Sequence, residues 1–189
     1  LTIEEGVVVK MQSGRSIILM NGNIIIGNAS STSPVVFTSE KDDTHGGDTN
    51  SDGDATTPAV GDWKKIQASS SNSQITVNNA VFRYGGFSSA VFELLSGAQA
   101  TIASTTIEYS NSNGIAMRNG ETSLTLASST ISNVYDAIGI SFQANANITN
   151  STFTNNRRGI AIDTDADVDN LIISGNTFSG NNWVAGEPI

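Results

Sequence analysis

The sequence contains no cysteine, which removes disulfides and thiolate metal sites from consideration. Its single histidine, His45, leaves no histidine pair for a transition metal and no spare base for a Ser-His-Asp relay. Basic residues are scarce, 9 against 18 acidic ones, for a net charge of −9. Nucleic acid and anionic membrane surfaces need clustered Lys and Arg, so neither is an expected partner. No apolar run approaches the roughly 18 residues of a membrane span. Proline is rare, with 3 in 189 residues, and long stretches of amphipathic helical period are missing. What remains abundant is Ser, Thr, Asn and Gly between short apolar runs, the pattern of an all-β chain. The apolar residues recur too regularly for low-complexity disorder. The length suits one domain, spanning residues 1–189.

Up to Thr38 the runs are Leu1-Thr2-Ile3, Val7-Val8-Val9, Ile17-Ile18-Leu19, Ile24-Ile25-Ile26 and Val35-Val36-Phe37. Beyond Ile75 the chain repeats itself. One bulky column reads Phe82, Ile107, Ile131, Phe153, Phe178; five residues earlier come Val77, Ile102, Leu126, Ile148, Ile173; seven earlier, Ile75, Ala100, Leu124, Ala146, Leu171. A second apolar strand follows in each unit, near Phe92, Ile115–Met117, Ile138–Ile140, Ile160–Ile162 and Val184. The period of roughly 22–25 residues is that of a solenoid. One unit cannot bury its own apolar positions, whereas stacked units place like on like in a continuous core. About seven or eight coils with some three short strands each are expected, about 4.8 Å apart. Val81, Thr106, Thr130, Thr152 and Thr177, just before the bulky column, should face outward. Asn133 and Asn155 share a turn position where amides can stack or cap backbone groups.

Residues 40–62 interrupt this order. Asp42, Asp43, Asp48, Asp52, Asp54 and Asp62 crowd into a loop with little to bury. Adjacent like charges repel by roughly 1 kcal/mol per close pair even in water, so a compact loop calls for a counter-cation. Asp48, Asn50 and Asp52 alternate ahead of Gly53, which resembles the opening half of the oxygen-ligand loops of EF-hands and dockerins. Ala59 stands where such loops carry a bidentate Glu, so the closing oxygens must come from Asp42, Asp43, Asp54 or Asp62. Calcium is the expected ion, with Trp63 anchoring the insertion to the stack. Asp163, Asp165, Asp167 and Asp169 also alternate; they suit either a polar turn or a second cation or sugar-binding face.

Three further stretches carry a family resemblance: Asn176-Thr177-Phe178, Arg158-Gly159-Ile160-Ala161-Ile162 and the opening Leu1-Thr2-Ile3-Glu4-Glu5-Gly6-Val7-Val8-Val9-Lys10, together with the segment from Pro34 through Trp63. The chain resembles the right-handed parallel β-helix modules of secreted and surface bacterial proteins, relatives of the pectate-lyase-like solenoids. That resemblance implies the handedness, an extracellular or cell-surface location and neighbouring domains on the same polypeptide. The opening at Leu1, already inside a strand-like run, fits a processed or partial chain. For activity the scaffold says little, because it hosts lyases, hydrolases, epimerases, adhesins and spacers.

No catalytic cluster is legible, and no catalytic residue is assigned. Tyr84, Glu108, Tyr109 and Arg118 form the best candidate ligand face. The expected function is a non-catalytic, calcium-stabilised module with an adhesive, stalk or glycan-contacting role, and calcium and a polysaccharide or other surface glycan as partners. The alternative is a calcium-dependent polysaccharide lyase or epimerase, which would need a base beside the metal.

Overall fold

The computed structural model describes residues 1–30, 32–163, 166 and 170–182. Among these residues, twenty short strands wind into three parallel sheets, and each circuit visits the sheets in the same order. The first sheet holds β1 (Thr2–Ile3), β4 (Gly22–Ile26), β7 (Ser73–Asn78), β10 (Gln99–Ala103), β13 (Thr122–Ala127), β16 (Ala144–Thr149) and β19 (Asn170–Ser174). The second holds β2 (Val8–Met11), β5 (Val35–Ser39), β8 (Ala80–Arg83), β11 (Thr106–Glu108), β14 (Thr130–Ser132), β17 (Thr152–Thr154) and β20 (Thr177–Ser179). The third holds β3 (Ser16–Leu19), β6 (Lys65–Ala68), β9 (Phe92–Leu95), β12 (Ile115–Arg118), β15 (Asp136–Ile140) and β18 (Arg158–Ile162). The result is a parallel β-solenoid of about seven turns.

Pairing follows the columns expected from the repeat. Phe82 faces Ile107, then Ile131, Phe153 and Phe178, while Val77 leads through Ile102, Leu126 and Ile148 to Ile173. Period-2 geometry turns these inward, so the inner strands β7, β13 and β16 of the first sheet alternate buried and open positions, whereas Ile173 and Phe178 on the last coil remain exposed. Phe37 stacks on Phe82 at 4.9 Å and Phe153 on Phe178 at 5.0 Å, and Phe92 meets Phe82 edge-on at 4.7 Å. Each of the buried rings, Phe37, Phe82, Phe92 and Phe153, removes enough apolar surface from water to be worth about 2–3 kcal/mol, while Phe178 on the last coil stays half-exposed. The Thr106, Thr130, Thr152 column lies half-exposed on the outer face of the second sheet. Of the acidic run after Ile162, Asp165, Asp167 and Asp169 lie outside the described residues, as does Val184.

What bends the chain between sheets is a column of left-handed residues. At the first corner Gly27, Asn79, Ser104, Ser128, Asn150 and Gly175 have φ from +49° to +72°. At the second, Tyr84, Tyr109, Asn133, Asn155 and Gly180 have φ from +53° to +63°. Asn and Gly reach this region at least cost. Asn133 and Asn155 thus serve the stack through backbone conformation. The bridging side chains sit one place later than the sequence suggests. Thr105 N–H donates to Ser129 Oγ, Ser129 N–H to Ser151 Oγ and Ser151 N–H to Asn176 Oδ1, each bond joining one coil to the next. At the second corner Val134 N–H donates to Asn156 Oδ1 at 3.1 Å, and Asn156 Nδ2 donates to the carbonyl of Ile131 at 2.9 Å. Asn181 repeats the arrangement one coil on. Buried backbone groups that the corners pull out of the sheets therefore keep partners.

Three substitutions separate these roles. Phe82→Ala should lower unfolding stability by about 3–5 kcal/mol, and Asn156→Ala, which orphans the Val134 N–H and the Ile131 carbonyl on the preceding coil, by about 2 kcal/mol or more. Asn133→Gly should stay within about 0.5 kcal/mol of the parent, because the backbone conformation is what that position supplies. Urea unfolding midpoints check all three.

Candidate metal centre and outer groove

The corner between the second and third sheets is three or four residues long in several coils but carries residues 40–64 between β5 and β6. This insertion folds back over the second sheet. Lys10 Nζ donates to the Gly47 carbonyl, and Thr38 beneath it is fully buried. Two aspartates fasten its base. Asp42, 1% exposed, accepts from Thr38 Oγ1, Thr44 Oγ1 and the His45 ring. Asp62 accepts from Ser39 Oγ at 2.7 Å, Ala59 N–H at 2.9 Å and Lys41 Nζ at 2.8 Å. Trp63, fully buried, donates its indole N–H to the Arg83 carbonyl at 2.8 Å. The expected anchoring role of Trp63 is visible here. It also explains Gly85, where a Cβ would lie 2.7 Å from the indole.

At the tip, carboxylate oxygens of Asp43, Asp48 and Asp52 lie within 4.8 Å of one another. Asp48 is oriented by the backbone N–H groups of Asp52 (3.2 Å) and Gly53 (2.9 Å). Asn50 Nδ2 donates to Asp52 Oδ2 at 2.9 Å. Asn50 Oδ1, Asp52 Oδ1 and Asp43 Oδ1 are buried and accept no hydrogen bond. Burial, followed by the charge of Asp48, raises the Asp43 pKa, as like charges sharing a site must. Hard divalent cations take such an all-oxygen donor set. Of the seven residues expected around the metal, Asp43, Asp48 and Asp52 converge and Asn50 adjoins them. Asp42 and Asp62 spend their oxygens on protein donors at the base, and Asp54 stands exposed outside the triad.

The expected ligand face divides. Tyr84 and Tyr109 stack at 5.8 Å with their planes 16° apart, and Glu108 pairs with Arg83 Nε at 2.8 Å. Arg83 lies over both rings, 5.1 and 5.6 Å from their centroids. Arg118 belongs elsewhere. It lines a groove of about 300 Å³ on the third sheet, a site that no spacing in the sequence announces. Its floor is a column of small outward residues, Ala116, Gly139 and Ala161, in register on adjacent strands. Arg118, Ser141 and Asp163 border one side, with Asn113, Asp136 and Arg158 on the other. Asp136, 3% exposed, receives a bidentate clamp from Arg158 at 2.7 and 2.8 Å. Glu93, at the groove's end, is held by Lys65 and by Ser89 Oγ at 3.0 Å, with Arg118 Nε at 3.7 Å. These carboxylates are committed to cations, which suits them to positioning a polar ligand and not to abstracting a proton.

Three stacked parallel sheets turning at left-handed corners define a parallel β-helix. The family model for the right handed beta helix region matches residues 64–186, well over half of the chain, and the protein belongs to that family. Neither the curated proteins nor the solved structures include a match to the chain.

The hydrogen bonds from Thr38, Thr44 and His45 outweigh the upward push of burial and hold the Asp42 pKa below the ordinary carboxylate value. A depressed native pKa contributes stability that is complete above the unfolded value of about 3.9 and disappears as pH falls through the native one. Acid titration of the urea midpoint below about pH 4 should therefore be shallower in Asp42→Asn than in the parent. Equal slopes would show that Asp42 carries none of the acid sensitivity.

Proposed function

We propose that this β-helix is a calcium-stabilised, non-catalytic module of a secreted or cell-surface protein. The observation that carries the reading is the convergence of Asp43, Asp48 and Asp52, with three buried side-chain oxygens at the tip that accept no hydrogen bond, one of which, Asp43 Oδ1, lies 3.8 Å from Lys10 Nζ. An oxygen-only set on an irregular acidic loop suits calcium better than zinc, which favours nitrogen and sulfur ligands, or magnesium, which needs a near-ideal octahedron. The ion would neutralise the tip while Asp42, Asp62 and Trp63 hold its base. The stack behind it supplies a rigid rod for an adhesive or stalk role, and the groove on the third sheet supplies a face for a surface glycan. The excess of acidic residues supports partners other than nucleic acid or anionic lipid.

A ligand that binds only the folded state at one hundred times its Kd adds about 2.7 kcal/mol, or about 5–10 °C in Tm for a domain of this size. Calcium should raise the melt by that order and EGTA should reverse it. Asp48→Ala together with Asp52→Ala should abolish the calcium effect. A melt indifferent to both calcium and EGTA would remove the metal from the account.

The groove favours one second reading, a calcium-dependent polysaccharide lyase or epimerase, since Arg118 and Arg158 could meet acidic sugars. Release of unsaturated ends from a polyuronate, lost in Arg118→Ala, would establish that reading over the non-catalytic one.

A further inference from the structure

A second cleft, of about 260 Å³, runs between the insertion and the second sheet. Tyr84 forms one wall, and Thr56, Thr57 and Pro58 of the insertion belong to its lining. Tyr84 is backed by Tyr109, whose ring lies nearly parallel at 5.8 Å. Both tyrosines occupy the left-handed corner column, at φ +62° and +55°, where later coils place Asn133, Asn155 and Gly180. Stacking coils at this corner requires no aromatic, and a bulky residue is disfavoured there. Strain kept on two successive coils, with the Tyr84 ring lining a cleft, points to use.

The charges around the cleft narrow what it can hold. Arg83 lies close to both Tyr84 and Tyr109, 5.1 and 5.6 Å from the ring centroids, and is paired with Glu108, so its charge beside the cleft disfavours a cationic guest. Asp54 and Asp43 in the lining oppose an anion. Lys41 is engaged by Asp62, and Asp42 by its threonines. The groups left over are the Tyr84 ring, Pro58, the Thr57 hydroxyl and the exposed Asp54 carboxylate. An apolar face opposed by hydroxyl and carboxylate acceptors matches a pyranose ring, which has one C–H face and an equatorial rim of hydroxyls. We infer that the Tyr84 cleft is a binding site for an uncharged saccharide. It rests on the calcium reading to the extent that its outer wall is the insertion the metal would brace.

Isothermal titration of the whole chain, in calcium, with cellohexaose, mannohexaose, maltohexaose and chitohexaose provides the test. At least one should bind. Tyr84→Asn should weaken it tenfold or more while leaving the melting temperature equal or higher, because Asn is the residue this corner holds in later coils. Thr57→Arg, which fills the cleft from its exposed rim, should do the same without touching the stack. Four silent titrations, or binding that survives both substitutions, would overturn the assignment. A repeat in EGTA separates the two proposals. A calcium-raised melt with no sugar bound defeats the cleft alone. Sugar binding with a melt indifferent to calcium defeats only the metal.

Discussion

In-register stacking of parallel coils is the constraint from which the rest follows. Among the described residues, strands between the first and last coils are bonded to the coil before and the coil after, so within the stack the backbone groups at risk are those at the corners. The left-handed column turns the chain there, and the Ser129, Ser151, Asn176 and Asn156, Asn181 ladders satisfy what the turn exposes. Side chains of like shape then face one another at the strand spacing of about 4.8 Å. The aromatic pairs of the interior and the Tyr84–Tyr109 pair outside both follow from that spacing.

The same geometry determines where function can be placed. Strands cannot lengthen without losing register, but a corner can carry extra chain because its ends stay fixed by the neighbouring coils. The corner after β5 takes up that freedom. Its insertion lies over the second sheet, tied by Asp42, Asp62 and Trp63 to residues of the stack, and it sets its acidic tip beside Lys10. The third sheet does the opposite. Small residues at Ala116, Gly139 and Ala161 leave a furrow across the coils, and ion pairs around Glu93 and Asp136 border it.

Much of the solenoid was legible because its core is one-dimensional. A residue's burial depends on its place within the coil, and the coil length of 22 to 25 residues is written in the chain, as at Ser129–Ser151 and Ser151–Asn176. The corner amides were read one position early. Asn133 and Asn156 are both polar and both in the turn region, and only the φ values show that one bends the backbone while the other bonds it.

By itself, the sequence determined the all-β class, the stacked columns, the place of the insertion and its surplus of carboxylates. These follow from periodicity and local charge, which need no knowledge of neighbours in space. Tertiary structure alone decided which aspartates converge, sending Asp42 and Asp62 to the base and Asp43, Asp48 and Asp52 to the tip. It also moved Arg118 away from Tyr84 and Tyr109, and assembled the furrow on the third sheet. The physical reason is that a corner loop's path and a sheet's outer relief depend on which side chains the adjoining coils present, and sequence spacing does not encode that distance.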